Sequence, residues 1–467
     1  MIYMDEAVSP RKLEEFLKKC ASGEASELHT LYVYEDNKLM IALALPPYDT
    51  AQVCQVYSLS KSFTQTAIGM LYDEGRISPQ DIAADILGVD YEKGSRISRL
   101  SVHHLLSMSA GHEECSMSRI IQAEDGVQAF FDMELVYEPG THFTYDTGAS
   151  WLLSAIVTKI TGETLFDYLQ RKLFLPMGIQ DCSWDTAGGN ISEGGVGLHI
   201  STDGLIKLAL LYQNRGVYGG KRYLSEEWID MASAKQMDNA ENGTANWRVG
   251  YGYQMWMNDC GGYRGDGAFG QYAVILPEKK LAAAALTESA NMEKQMDDVF
   301  AYLCDYKKDE AEESREVDID HIYLPKASEQ EFVIDRLYKL SENVQGFTYL
   351  AVKNIGKNLR LEISDGAKIQ VVTIGNGEWI ENTLYAKAVK PLLLHLMPNL
   401  RNEISRFAAS YAVAEDGMID IDIRFLNTPH HVELSAKFDD QMNIRLKKFK
   451  DELYLENARE ICGRVVK

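Results

Sequence analysis

The stretch Tyr57–Ser78, YSLSKSFTQTAIGMLYDEGRIS, carries the fold assignment. Its apolar residues Leu59, Phe63, Ala67, Met70 and Leu71 recur at helical spacing, which predicts a helix from Ser58 to about Tyr72 with one apolar face. Gly75 is its natural stop. Ser58 and Lys61 stand one helical turn apart on the same side. A serine hydroxyl is a weak nucleophile until a neighbouring base takes its proton, and a desolvated lysine amine can act as that base. The positive end of the helix lies where an oxyanion would develop. Taken alone, S-x-x-K is a short pattern of common residues. Its ordinary explanation is a serine near a helix start beside a solvated lysine.

Outward from this helix, β-forming runs lie at both ends of a first block. Leu28–Tyr34 and Lys38–Leu45 flank Glu35-Asp36-Asn37, the pattern of a hairpin. Val249–Trp256, Ala268–Leu276 and Leu281–Leu286 form a second group, with Pro277-Glu278-Lys279 as a turn. Helical spacing in Pro10–Cys20, capped by Ser9, and in Met292–Tyr302 closes the block. The long segment between, about 58–246, is mostly helical in pattern. A sheet built from both ends beside a helical lobe leaves a cleft between them, where a site is expected. The chain of 467 residues exceeds one ordinary core. We expect a domain over 1–306, an acidic linker over 307–320 (KKDEAEESREVDID from Lys307), and a smaller β-rich domain over 321–467 with no readable motif.

A net charge of −22, from 69 acidic and 47 basic residues, opposes binding to phosphate backbones and anionic headgroups. Neither a nucleic-acid nor a membrane partner is expected. The longest apolar runs, such as Leu281–Leu286, are too short to span a bilayer. Seven scattered cysteines without a C-x-x-C pair fit a reducing compartment, and the N-terminal residues lack a secretory pattern, so a cytoplasmic location is expected.

Five pieces in order resemble the serine β-lactamase-like superfamily. They are Tyr57–Ser78; LSVHHLLSMSAGH (Leu100–His112); EPGTHFTYDTGASWLLSAIVTKITG (Glu138–Gly162); GLHISTDGLIKLALLYQNRGVYGGKRYLS (Gly197–Ser225); and GAFGQYAVILPEKKLAAAAL (Gly267–Leu286). The resemblance spans roughly 25–305 and is nearest to the class C β-lactamase, penicillin-binding protein, family VIII esterase and 6-aminohexanoate-dimer hydrolase branch. It implies an α+β (α/β) β-lactamase/transpeptidase-like fold: an antiparallel sheet flanked by helices, an all-helical lobe, and here an added β-rich C-terminal domain.

The resemblance also implies roles. Ser58 is the nucleophile, Lys61 its partner, and Tyr145 takes the place of the tyrosine in the family's Y-x-N motif. At a helix start beside a lysine, Tyr145 is expected to have a lowered pKa and to shuttle a proton. The third position of that motif is Thr147, which exchanges an amide for a hydroxyl. The family's K-T-G or H-x-G is replaced by Gly265-Asp266-Gly267, with Arg264 as the nearest substitute cation. Gly267 ends that triplet, and the backbone amide of Ala268 joins that of Ser58 as an oxyanion hole.

Other signals carry less. His103-His104 lie in an apolar, helical stretch and suit packing or surface roles, and no Cys or carboxylate cluster flanks His430-His431 in the sequence. Gly188-Gly189 and Gly194-Gly195 lack phosphate-loop spacing. The expected function is therefore hydrolysis of a small ester or amide, peptide-like or D-amino-acid amides included, through a Ser58 acyl-enzyme and without metal or organic cofactor. A ligand-binding or sensor protein on the same fold, and a β-lactamase or D-Ala-D-Ala carboxypeptidase, are the alternatives. The sequence leaves the oligomeric state open.

Overall fold

The computed structural model describes residues 2–21, 26–241, 243–309, 312–313, 315–317, 328, 332–343, 346–385, 404–448 and 460–466. The chain divides into two compact units, one of Met1–Ala44 with Thr50–Val317 and one of Leu45–Asp49 with Asp318–Lys467. Part of the acidic run, residues 310–311, 314 and 318–320, lies outside the described residues.

In the first unit, strand β1 (Ile2–Met4) precedes helix α1 (Pro10–Ala21). The Ser9 hydroxyl caps this helix by accepting from the Lys12 amide at 3.1 Å, and Leu13, Phe16, Leu17 and Cys20 form its buried face. Of the acidic run, Asp309 and Glu312 accept from Arg11 and Ser9, and Arg315 donates to Glu14. Strands β2 (Ser26–Glu35) and β3 (Lys38–Ala44) form the expected hairpin. Asp36 and Asn37 turn it with φ of 49° and 63°, the left-handed pair that matches strand twist.

Helix α2 (Ser60–Asp73) opens the helical lobe, followed by α3 (Thr147–Thr161) and α4 (Thr202–Gln213). Short strands Cys54–Gln55, Leu198–Ile200 and Cys182–Trp184 form a small antiparallel sheet within this stretch. Strands β4 (Trp256–Met257), β5 (Tyr263–Gly267), β6 (Gln271–Leu276) and β7 (Leu281–Ser289) complete the main sheet, in order β1-β3-β2-β7-β6-β5-β4 and antiparallel throughout. Both chain ends of the block thus meet at the β2–β7 pair. Helix α4 packs on β6 and β7, and α1 packs on β2 and on the closing helix α5 (Met292–Cys304). Strand β7 is buried along its whole length, as a strand covered on both faces must be.

One expected strand is absent from this sheet. Residues 249–255 run as a bent loop because Gly250 (φ 140°) and Gln254 (φ 54°) leave the extended region. The strand signal there came from buried aromatic residues, Tyr251 and Tyr253, that pack without pairing in a ladder.

The second unit is a β-barrel. Its strands are β8 (Asp335–Leu340), β9 (Tyr349–Ile355), β10 (Asn358–Ser364), β11 (Ile369–Asn376), β12 (Ile380–Tyr385), β13 (Ile404–Val413), β14 (Ile419–Phe425), β15 (His431–Phe438), β16 (Gln441–Lys448) and β17 (Glu460–Val465). The ladder β11-β10-β9-β8-β17-β16-β15-β14-β13 is antiparallel at each step, so β13 ends up running in the direction of β11. The nine strands close through a parallel contact, Gly375 with Ser410 and Asn376 with Tyr411, while β12 lies along β13. Alternate residues fill the interior: Leu350 and Val352, Leu359 and Leu361, Val372 and Ile374, Phe407, Ala409 and Tyr411. Closure removes the free edges that an open sheet of this size would expose.

Candidate active site

Ser58 lies in a 3-10 turn, Tyr57–Leu59, directly ahead of α2. Tyr57 takes φ 49°, a left-handed conformation that a bulky residue holds only when its surroundings impose it. Its carbonyl accepts from the Ser60 hydroxyl at 2.6 Å, and its ring packs edge-on to Phe269 at 5.2 Å. The turn is therefore clamped from both sides, with Ser58 at its crest.

Helix α2 is buried all round from Ser60 to Leu71, so the single apolar face expected from its sequence is incomplete. Its polar residues are satisfied inside the protein. Thr64 donates to the Gly194 carbonyl at 2.6 Å, Thr66 and Tyr212 share a hydrogen bond of 2.9 Å, and Trp228 donates to Gln65 at 3.1 Å. Burying these groups is tolerable only because each has a partner.

Lys61 is 1 % exposed. Its Nζ lies 3.2 Å from Ser58 Oγ, 3.2 Å from Thr147 Oγ1 and 2.8 Å from the Gly195 carbonyl. Burial pulls its pKa down to about 8, against the opposing pull of Cys115, Asp146 and Asp266. In the neutral amine, Thr147 and Gly195 hold the two hydrogens and the lone pair is left for the serine hydroxyl. Close approach at this point requires a glycine. A Cβ on Gly195 would stand 2.7 Å from Thr147 Cγ2 and 2.8 Å from the Thr147 carbonyl.

Tyr145 precedes α3, and its ring centroid is 4.8 Å from Lys61 Nζ. Trp256 stacks on it at 5.3 Å and Tyr251 meets it edge-on at 6.2 Å. The expected lowering of its pKa is not found. Burial raises it, Asp266 raises it further, and the hydrogen bond with Ser58 opposes them without prevailing. Tyr145 is thus a neutral phenol, and Lys61 is the group whose proton is loosened. Asp146 fixes the backbone between Tyr145 and Thr147. It caps α3 by accepting from the Gly148 amide at 2.8 Å, and also takes the Ser116 amide at 2.9 Å and His112 Nδ1 at 3.1 Å. These bonds, from His112 and Ser116, hold its carboxyl below the usual range although burial pushes the other way.

The remaining predicted residues sit at the end of β5. Gly267 passes so close to the helix entry that a Cβ there would be 2.1 Å from the Val56 carbonyl, and Gly265 faces Ser62 in the same way. Ala268 follows in the turn to β6, which Gln271 braces by donating to the carbonyls of Thr287 at 2.8 Å and Ala268 at 3.4 Å. Ser58, Lys61, Tyr145 and Thr147 are brought into one cluster, and Gly267 and Ala268 are brought alongside the Ser58 turn. Arg264 is not a site cation. It is fully buried, with Nε on Asp266 Oδ2 at 2.9 Å and its other nitrogens on Asn258 Oδ1 and the carbonyls of Met257 and Asn246.

Four contributors escaped the sequence reading: Gly194, Gly195, Asp146 and Gln254. The paired glycines were visible but judged only against phosphate loops. Gln254 accepts from Ser150 at 2.5 Å, donates to the carbonyls of Leu105 and Leu106 at 3.1 Å, and receives Ser62 on its own carbonyl at 3.3 Å, so one side chain and its backbone tie three segments together. No local pattern marks such a residue.

The sheet, the helical lobe and this cluster define a serine-hydrolase-type fold, and comparison with known proteins gives the family. The Beta-lactamase family model matches residues 27–303, and the chain belongs to that family. A lovastatin esterase of Penicillium rubens is 28% identical over 102 residues, 20% of this chain and 25% of the esterase, so the match spans about a quarter of that protein. The octameric penicillin-binding protein homologue of Pyrococcus abyssi is similar over 97% of both chains at TM-score 0.51 and 18% identity. SurE, in its structure with D-Leu, is similar over 98% of this chain and 95% of its own at TM-score 0.53 and 16% identity. These two likenesses concern the fold, and they extend through the C-terminal unit. Among the described residues no helix is long and apolar enough to cross a membrane.

Proposed function

We propose that the protein hydrolyses a small ester or amide through an acyl-enzyme on Ser58. The observation that carries this reading is the buried Lys61 amine, 3.2 Å from Ser58 Oγ and with its pKa lowered to about 8. A neutral lysine takes the serine proton as Oγ attacks the carbonyl. The oxyanion rests on the amides of Ser58 and Ala268. Tyr145, held as a phenol, donates to the leaving group and recovers from Lys61 the proton taken from Ser58, which leaves the lysine neutral again. Water then attacks the ester, with Lys61 again as base. The esterase among the relatives supports an ester substrate, and the D-Leu of the SurE structure supports peptide-like amides as a second class to screen. The scattered cysteines support a cytoplasmic setting.

Turnover of p-nitrophenyl acetate by the full chain tests the reading. Tyr145→Phe should lower kcat/KM by about 10²–10⁴-fold with circular dichroism unchanged, the usual worth of a positioned acid. An unchanged rate would remove Tyr145 from the mechanism. Absence of turnover on esters and anilides alike would favour a ligand-binding protein on this fold.

A further inference from the structure

The charged groups around Ser58 are unequally occupied. Asp146 is saturated by Gly148, Ser116 and His112, and Arg264 by Asp266, Asn258 and two carbonyls. Lys61 is committed to Ser58, Thr147 and Gly195. Asp266 differs. Arg264 Nε at 2.9 Å and Trp247 Nε1 at 3.0 Å both fall on its Oδ2. Among the described residues Oδ1 accepts no hydrogen bond.

Three observations place that oxygen at the site. Gly265 and Gly267 face Ser62 and Val56, so by strand alternation the Asp266 side chain points away from α2, and Ala268 follows in the turn two residues on. Its donor Trp247 belongs to the same aromatic cluster as Tyr145, Tyr251 and Trp256. Lys61 and Tyr145 both lie within reach of its charge, and burial raises the carboxyl's own pKa against the opposing pull of Arg264 and Trp247. The carboxylate is 7 % exposed and sits on a guanidinium that is itself fully buried between Trp247 and Phe300, at 5.2 and 6.0 Å. A buried ion pair is costly to build and contributes little net stability. This one fixes the orientation of a single open carboxylate oxygen among aromatic rings, the combination of charge and π-faces that receives an ammonium group. Among the described residues no cation of the site is left to receive a carboxylate, and the net charge of −22 steers cations inward and anions away.

We propose that Asp266 selects substrates carrying an ammonium group within a short chain of the scissile carbonyl. The ammonium donates to Oδ1 while the carbonyl oxygen lies against the amides of Ser58 and Ala268. This rests on the Ser58 reading above and names its substrate class. The sequence change at Gly265–Gly267 is then a change of recognised charge: the cation position of K-T-G is Gly265, and an acid, Asp266, stands at the position of its hydroxyl.

Three p-nitroanilides test it, the isosteric pair butyryl (neutral) and 3-aminopropanoyl (ammonium) and the larger succinyl (carboxylate), each assayed on the full chain at neutral pH. The ammonium substrate should exceed the butyryl one by about 10–100-fold in kcat/KM, the worth of one charge-assisted hydrogen bond, with the succinyl one slowest. Asp266→Asn should bring the ratio of kcat/KM for the 3-aminopropanoyl and butyryl substrates, both read on the variant, to about one, and Asp266→Glu should keep a preference of the same sign. Inhibition of p-nitrophenyl acetate turnover by n-butylammonium but not by butyrate would give the same result on the unmutated protein if Asp266→Asn fails to fold. A preference ratio near one, or a ratio unchanged in Asp266→Asn, with Ser58 still labelled by a fluorophosphonate, overturns the ammonium assignment alone. Loss of that labelling together with all turnover overturns the Ser58 reading and this inference with it.

Discussion

The interior of the barrel and the interior around α2 are both sealed from water, but by opposite means. In the barrel, alternate strand residues build an apolar cluster from Ile334 to Met442 of aliphatic, aromatic, alanine and methionine side chains. Around α2 the buried residues include Ser60, Lys61, Ser62, Thr64, Gln65 and Thr66 in an unbroken helical run. A core of the first kind is held by area and shape, so it tolerates exchange among residues of similar volume. A core of the second kind is held by partners, and each hydrogen bond left unmade carries a penalty. The polar core has its ionisable member, Lys61, beside Ser58. Among the described residues the barrel's apolar cluster has no such group.

If the contrast is right, substitutions in the two regions should fail differently. The largest effect belongs to Lys61. Lys61→Met should lower kcat/KM on a neutral ester by about 10²–10⁴-fold with the fold intact. In the unmutated protein the same rate should rise with pH and level off above about 8, because the lysine must be neutral to act and burial places its pKa there. In the variant that limb should vanish. A limb of unchanged position after Lys61→Met would assign it to another group.

Next in size is a stability effect in the barrel. Ile374 is 1 % exposed among Val372, Leu359 and their neighbours, and Ile374→Ala should cost about 2–5 kcal/mol of that unit's stability in urea unfolding. A cost near zero would mean that the barrel interior is loosely filled. Smaller still is Gly195→Ala, where the added methyl meets the Thr147 carbonyl and methyl and must displace backbone. We expect a loss of about 1–3 kcal/mol together with a drop in turnover, since the carbonyl that holds Lys61 moves with it. Lost stability with full activity would show that the Gly195 carbonyl does not matter to the lysine.

The same contrast explains what the sequence made legible. Ser58, Lys61 and Tyr145 lie in local patterns, and alternation gave barrel strands such as Ile419–Phe425 and His431–Phe438 with their bounds. The strand expected at 249–256 failed because alternation cannot tell aromatic residues on a strand from aromatic residues on a bent loop around Tyr145. The phenol's pKa direction was missed because dipole and cation are visible in sequence, whereas desolvation depends on Trp256 and Tyr251 closing over the ring. Gln254 and Gly195 act through segments far away in the chain. Arg264 was visible, but only the fold shows that it faces inward to Asp266.

The central claim is that Ser58 is an activated nucleophile. Intact-mass analysis after exposure to a fluorophosphonate, beside Ser58→Ala, tests it most directly. The account predicts one adduct per chain, mapped to Ser58 and absent from the variant, with labelling that quickens as pH approaches 8. No adduct on the folded protein, or an adduct of equal extent in Ser58→Ala, would contradict it.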